Sequence, residues 1–457
     1  MKLDDTIIAV STPPGFGGLG IVRLSGRNAL NIAKKIFRPK KRDRAKIQPR
    51  QAVFGNLYDF EKKEYFDEGI LTFFPEPDSY TTENVVEISC HGSPAVLEEA
   101  VRLGIKAGAR HADPGEFTLR AYLRGRIDII QAEAINGLIR STSLKKAKIA
   151  FGQLEGGLSK KITAFRNQII RLLALIEAAI EFPEEGLRIS PEKIAVSLGK
   201  IVPFLRKLIS SYDAGRALAE GLTLAITGRT NVGKSTLFNS LLEEQRAIVT
   251  PFPGTTRDYL REKIRIKDAL FNLVDMAGLG RPVSPVEKEG IKKGKKIALN
   301  ADGLLLVLDS SRKETPEDLR LIREFKDKKV LLLFNKMDLP QKINMERIRV
   351  QADSLPFLEI SALKGTNLDK LREKIHDVFV PHVSERDEII LHVRQKILLE
   401  QTLDRMIKSF RLLNEGFSEE IYAEEIRRIL PIIGELTGEI RADEVIADIF
   451  SRFCVGK

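Results

Sequence analysis

Cysteine is nearly absent: Cys90 and Cys454 are the only two in 457 residues. Two thiols cannot build a disulfide framework, and their scarcity fits a reducing compartment. Histidine is scarce too, with five scattered copies and no Cys/His spacing of the kind that holds zinc. No apolar run approaches the roughly 20 residues of a membrane-spanning helix. The opening MKLDDTIIAV lacks the basic, apolar and small-residue pattern of a signal peptide. These absences predict a cytoplasmic chain with no membrane partner. With 43% hydrophobic and 30% charged residues the composition is that of a soluble globular protein, and the length predicts two or three domains rather than one core.

What is present in excess is positive charge. The formal net charge of +11 points to an acidic partner, with nucleic acid the first candidate. Much of it sits in KKIFRPKKRDRAKIQPR, Lys34 to Arg50, where nine basic residues meet the single Asp43. A run of this kind is equally what a solvated loop looks like, so charge leaves both readings open.

The chain changes rhythm along its length. The first 120 or so residues carry short β-rich runs, TIIAVS, GIVRLSG and NVVEISCHG, separated by Pro/Gly turns, which predicts an α+β domain. From about residue 145, Ile162, Phe165, Ile169, Leu172, Ile176 and Ile180 recur at helical steps, and Pro183 in EFPEEG ends the helix. Between about 217 and 382, LTLAIT, LFNLVD, GLLLVLD, KVLLLFN and FLEIS read as strands buried on both faces, alternating with helices. Helical spacing returns with Ile390, Val393, Ile397, Leu403, Met406 and Phe410. The reading is a multidomain α/β and α+β chain: an N-terminal domain at 1–120, an all-α domain in two segments at 121–216 and 383–457, and an inserted P-loop domain at 217–382.

The inserted block holds the chemistry. GRTNVGKS satisfies G-x-x-x-x-G-K-[ST] with Gly228, Gly233, Lys234 and Ser235, between a strand and a helix. Glycines let backbone N–H groups close on phosphate, Lys234 neutralises its oxygens, and the Ser235 hydroxyl suits magnesium. Three further motifs follow in the order a GTPase requires. DMAG places Asp275 near the magnesium shell and Gly278 near the γ-phosphate. NKMD offers Asn335, Lys336 and Asp338, whose carboxylate accepts two N–H donors of a guanine edge that adenine lacks, and SALKG brings Ser361 and Ala362 to the base. TPFPGTTRD lies where a first switch belongs, with Thr256 a magnesium ligand. Leu279 stands where Ras-like enzymes carry a water-orienting glutamine, so another group must orient water.

At this point the chain closely resembles the MnmE (TrmE) family of tRNA modification GTPases, from end to end. The resemblance rests on TPPGFGGLGIVRLSG, SYTTENVVEISCHG, PGEFTLRAYLRGRIDIIQAEA, the GTPase motifs with PGTTRD, and the terminal FCVGK. It implies a Ras-like G domain whose nucleotide-binding set comprises Asn231, Val232, Gly233, Lys234, Ser235 and Thr236, then Thr250, Pro251, Phe252, Pro253, Gly254, Thr255 and Thr256, then Asp275, Met276, Ala277 and Gly278, and the guanine-side residues above. Potassium binding is implied for Asn231, Thr250, Phe252 and Thr255, at a site completed when two G domains meet, and Glu287 matches the catalytic glutamate. Arg257 belongs to the switch. The N-terminal domain is implied to dimerise and to bind a tetrahydrofolate derivative through Arg23, Glu83, Arg126 and Lys457, with Cys454 close to the one-carbon unit.

Taken together, the resemblance implies a potassium-stimulated, GTP- and Mg2+-dependent homodimer. It would act on tRNA with the FAD-dependent MnmG in a heterotetramer-type complex, installing a (carboxymethyl)aminomethyl group at carbon 5 of the wobble uridine. Three departures stand out: Met276 where the family commonly has threonine, Gly280 where it has arginine, and RGR, containing Arg126, where it has NGK. The alternative reading is a regulatory ribosome-assembly GTPase without RNA-modifying chemistry, against which the folate-domain motifs and FCVGK argue. GFGGLG, Gly15 to Gly20, mimics a dinucleotide fingerprint, but IVRLSG after it reads as a strand rather than the helix such a fingerprint opens.

Overall fold

The computed structural model describes residues 4–40, 47–141, 143–182, 191–219, 221–243, 261–275, 298–353, 355–380, 389–440 and 443–457. Strands among them are β1 Ile7–Val10, β2 Gly17–Ser25, β3 Phe37–Pro39, β4 Ala52–Asp59, β5 Glu64–Phe74, β6 Val85–Gly92, β7 Arg110–His111, β8 Leu222–Thr227, β9 Arg261–Ile266, β10 Ala269–Asp275, β11 Gly303–Asp309, β12 Val330–Asn335 and β13 Phe357–Glu359. Helices among them include α1 Ala29–Ile36, α2 Pro94–Lys106, α3 Glu116–Leu123, α4 Ile129–Ile139, α5 Leu144–Leu154, α6 Gly157–Glu181, α7 Pro191–Ser210, α8 Tyr212–Ala219, α9 Lys234–Glu243, α10 Pro316–Glu324, α11 Met345–Ala352, α12 Leu368–Phe379, α13 Val393–Asn414, α14 Glu419–Arg427, α15 Ile429–Thr437 and α16 Asp443–Ser451. Contacts group the chain into two compact units: Met1–Asn136 with Phe151–Leu198 and Asp404–Lys457, and Gly137–Ala150 with Gly199–Leu403.

In the first unit a seven-stranded sheet runs in the order β3-β4-β5-β6-β2-β1-β7, antiparallel except for the β1–β7 pair. Alternation along β2 sends Val22 and Leu24 to one face and Arg23 to the other. On the first face Ile8, Val22, Leu24, Val86 and Ile88 meet Ile32 and Ile36 of α1 and Leu97 and Leu103 of α2. Helix α2 approaches so closely that a side chain at Gly104 would lie 2.3 Å from the Ile8 methyl. On the opposite face Phe117 of α3 joins Ile7, Ala9 and Ala112, with Tyr80 packed beside them. The predicted long helix is α6, ending at Glu181, with Ile162, Phe165, Ile169, Leu172 and Ile176 buried; α14 and α15 pack on it. The strand after GFGGLG is β2, as its sequence predicts.

In the second unit a six-stranded sheet runs β13-β12-β11-β8-β10-β9, with β9 and β10 antiparallel and every other pair parallel. All residues of β12 are buried, as a strand covered on both faces requires. Leu237 and Phe238 of α9 and Leu371 and Ile375 of α12 pack on one face, while Leu321 of α10 and Ile348 of α11 pack on the other. The β9–β10 turn carries Asp268, whose carboxylate takes His376 of α12 at 2.6 Å and Lys145 of α5 at 2.7 Å. Helix α13 forms where helical spacing predicts it, but its buried stripe differs from the apolar one. Gln395, Leu398, Thr402, Met406 and Ser409 are buried, while Val393, Ile397 and Phe410 are exposed.

Candidate functional site

The phosphate loop occupies residues 228–233 between β8 and α9. Its path depends on left-handed backbone at three residues: Gly228 at φ +144°, Asn231 at +63° and Gly233 at +98°. The two glycines also have no room for a side chain. A Cβ on Gly228 would lie 2.4 Å from the Val307 carbonyl, and one on Gly233 would lie 2.3 Å from Asn335 Nδ2. Asparagine is among the side-chain residues that adopt this conformation most readily.

Several groups lock the loop. Lys234 opens α9 with its amine donating to the Arg229 carbonyl at 2.7 Å. Burial holds that amine below the ordinary lysine range, against the opposing pull of the Asp275 charge. Asn335, at the end of β12, donates from Nδ2 to the Val232 carbonyl (2.8 Å) and accepts the Ala362 N–H at Oδ1 (2.9 Å). One buried amide therefore joins the phosphate loop to the SALKG loop. Lys336, itself left-handed at φ +67°, donates to the Asn231 carbonyl (2.7 Å) and to Asp309 (2.6 Å). Asp338 is exposed, and its carboxylate accepts the Ser361 hydroxyl at 2.5 Å. Ser361 in turn accepts the Lys364 N–H, and Ser240 donates to the Ala362 carbonyl.

Asp275 closes β10 beside β8 and has a buried Oδ1 without a hydrogen-bond partner among the described residues. Ser235 and Thr236 are exposed in the first turn of α9. The fold thus brings together the residues named from the phosphate-loop, NKMD and SALKG motifs, with Asp275 at the same end of the parallel strands. Thr250, Pro251, Phe252, Pro253, Gly254, Thr255, Thr256 and Arg257, and likewise Met276, Ala277, Gly278, Leu279, Gly280 and Glu287, lie outside the described residues. Asp309 and Ser240 were not singled out by sequence. Asp309 had a signal, since it ends GLLLVLD as Asp275 ends LFNLVD.

A second constellation forms in the first unit. The C-terminal residues lie against β1 and β2: the Gly456 carbonyl accepts from the Ser11 hydroxyl (3.0 Å) and from Arg23 Nη1 (3.2 Å). Gly456 sits at φ +92°, and a Cβ there would come within 2.1 Å of the Val10 carbonyl, so the terminal glycine is a packing requirement. Arg23 also pairs with Glu87 at 2.7 Å, and its guanidinium lies 5.3 Å from the centre of the Tyr80 ring. Arg126 is 5.1 Å from the same ring and donates to the Tyr80 carbonyl. Burial pushes the Tyr80 phenol up and the Lys457 amine down, the latter helped by the Arg23 charge beside it. Cys454 is exposed.

Glu83 is 3% exposed, and its carboxylate accepts from Ser25, Arg120 and Arg124. Arg120 is fully buried and tied to Asp5 and Glu116 as well. The fold thus gathers Arg23 and Arg126 at the Tyr80 ring, with Lys457 beside Arg23 and Glu83 three residues further along the same loop. Tyr80, Arg120 and Arg124 were missed as site residues, although SYTTEN and TLRAYLRGR contain them.

Comparison with known families covers most of the chain. A profile described as the GTP-binding protein TrmE N-terminus matches residues 6–126, and one described as the MnmE helical domain matches residues 129–454. The chain belongs to the MnmE family. The tRNA modification GTPase MnmE of Aquifex aeolicus is 41% identical over 457 residues, covering 99% of this chain and 100% of that relative. The proteins of the same name from Thermoanaerobacter sp. and Desulforamulus reducens are 40% and 39% identical, each covering at least 99% of both chains.

Proposed function

We propose that this MnmE-family chain is a potassium-stimulated GTPase that acts in tRNA modification with an FAD-dependent partner of the MnmG kind. Together they install a (carboxymethyl)aminomethyl group at carbon 5 of the wobble uridine, with a methylene-tetrahydrofolate as one-carbon donor. The full-length relatives are named tRNA modification GTPases. The observation that carries the reading over a ribosome-assembly role is the seating of Gly456 and Lys457 beside Arg23, which closes a charged and aromatic cluster such a GTPase has no use for.

The nucleotide site divides its labour by residue. Backbone N–H groups of the loop and Lys234 bind the phosphates, and Asp338 and Ala362 hold guanine. Asn335 keeps the two loops in register. Magnesium suits Asp275 and Ser235: the orphaned Asp275 Oδ1 is the acid oxygen such an ion takes, with Thr256 proposed as the third ligand. Potassium suits Asn231, which is exposed and whose backbone carbonyl is already taken by Lys336, so its offer to a cation is the side-chain amide oxygen. Thr250, Phe252 and Thr255 would complete that set across a homodimer of G domains, where the cation adds positive charge beside the transferring phosphate. Glu287 would orient the water.

The tetrahydrofolate derivative suits the second constellation's donor set. Glu83 offers a buried carboxylate to ring N–H groups, Tyr80 an aromatic face, and Arg23, Arg126 and Lys457 positive charge for the carboxylates of the glutamate tail. Cys454 is placed on the same C-terminal segment.

GTP turnover in potassium and in sodium at equal ionic strength tests the mechanism. The wild type should prefer potassium strongly. Asn231→Gly keeps the left-handed backbone free of strain while removing the amide oxygen, and should lose the preference with turnover about a hundredfold lower. Equal turnover of the wild type in both salts would sink the potassium role.

A further inference from the structure

Glu83 carries more donors than a buried carboxylate waiting for a ligand should. Ser25 Oγ donates to Oε2 at 2.7 Å, Arg120 Nη1 lies 3.2 Å from Oε2 and 3.4 Å from Oε1, and Arg124 Nη2 donates to Oε1 at 2.6 Å. A carboxylate has about four lone-pair positions, so this set nearly saturates it.

The donors differ in whether they can leave. Ser25 and Arg120 are fully buried, and Arg120 is held by the Asp5 carbonyl (2.8 Å), the Asp5 carboxylate (2.6 Å) and Glu116 (3.0 Å). They are fixed parts of the wall behind Glu83. Arg124 lies just past the end of α3, its side chain is 40% exposed, and rotation about its own bonds takes its head into water. Arg124 also opens the RGR triplet that stands where the family commonly has NGK.

We propose that Arg124 occupies the recognition face of Glu83 as a displaceable stand-in for the ligand, so that folate binding in this chain is an exchange of one planar N–H donor for another. The inference rests on the folate reading of this site. A pterin edge presents a ring N–H and an exocyclic amino group side by side, the same paired-donor geometry by which a guanidinium meets a carboxylate. The two cannot hold Oε1 at once. Ser25 and Arg120 keep Glu83 oriented through the exchange, and Arg124 sets how tightly a competing ligand must bind. A ligand without paired donors, such as a simple dicarboxylate, gains nothing at Glu83 and leaves Arg124 in place.

The sign of one substitution separates this from ordinary electrostatics. Folate carries a negatively charged tail, so removing a nearby cation would normally weaken binding; removing a competitor strengthens it. The full-length wild type, Arg124→Asn and Glu83→Gln are titrated with 5-formyltetrahydrofolate by calorimetry at fixed ionic strength, with thermal melts to confirm folding. Arg124→Asn is expected to bind about three- to tenfold tighter than wild type, the range a partly exposed ion pair supports. Glu83→Gln is expected to lose binding. A wild type that binds while Arg124→Asn binds equally or more weakly overturns the exchange and leaves the folate reading standing. Failure of both the wild type and Arg124→Asn to bind overturns the folate reading, and the exchange with it.

Discussion

Asn335 shows how much a single side chain of the nucleotide site does before any ligand is considered. Its amide spans from Val232 to Ala362 and leaves no volume at Gly233, whose hypothetical Cβ falls 2.3 Å from Nδ2. Gly233→Ala therefore meets two costs, a left-handed backbone at φ +98° and a displaced Asn335. Denaturant unfolding should show a loss of about 2 kcal/mol. GTP-analogue titration should show affinity at least about tenfold weaker, because both loops shift together; unchanged affinity would show that the amide is not the brace. The need for glycine at 233 was legible in the motif, but the second reason for it was not. That reason lies about a hundred residues away, and only the parallel pairing of β8, β11 and β12 brings it close. Lys336 and Asp309 are the same kind of case: NKMD names the lysine as a base-side residue, while its bonds to Asp309 and the Asn231 carbonyl depend on neighbouring strand ends.

Helix α3 makes the equivalent point for an element. Its eight residues, EFTLRAYL, bury Glu116 and Arg120 as completely as Phe117. Burial raises the Glu116 pKa, but Arg110, the Asp113 N–H and Arg120 outweigh it, so the carboxyl sits below the ordinary glutamate value. A pKa lowered by folding stabilises above the unfolded value, near 4.3, and that contribution fades as pH falls through the folded value. Glu116→Gln should therefore cost about 3 kcal/mol near pH 7, since it leaves Arg120 buried with one partner fewer. The gap from wild type should narrow steadily below pH 5 in denaturation curves taken across pH; a gap constant down to pH 3 would contradict the network. Helix α13 shows why such elements read imperfectly. The apolar series includes Val393, Ile397 and Phe410, which are exposed, as well as Met406, which is buried, and Gln395, Thr402 and Ser409 are buried outside that series. The existence of the helix follows from periodicity. Its rotation does not, because a buried polar side chain carries no apolar signal.

For the whole molecule, the two candidate sites fall in different compact units, the phosphate loop in Gly199–Leu403 and the Glu83 and Lys457 cluster in Met1–Asn136 with Asp404–Lys457. Strand and helix alternation made β8 and β10 to β13 of the P-loop unit legible, while the edge strand β9 was not read from sequence. The first unit was legible as short strands with turns, while the seating of residue 456 against residue 10 was readable only through family resemblance, since no local pattern encodes a contact between chain ends. Ligand linkage gives this separation a measurable consequence. A ligand that binds only folded protein adds about 2.7 kcal/mol at a hundred times its dissociation constant, and adds it to the structure that forms its site. GDP with magnesium should protect the backbone amides of β8, β11 and β12 from hydrogen exchange, and 5-formyltetrahydrofolate those of β1, β2 and β6. Mass-resolved exchange with each ligand alone should therefore give two protection maps that do not overlap in these strands. Protection of β1 and β2 by the nucleotide would place its binding energy in the first unit, and the assignment of Lys234, Asn335 and Asp338 as the nucleotide's contacts would fall. Protection of β8 and β12 by the folate would do the same to Arg23, Glu83 and Lys457. Because each map is read at the strands that carry the named side chains, the two assignments are tested separately in one protein, without a substitution that could unfold either.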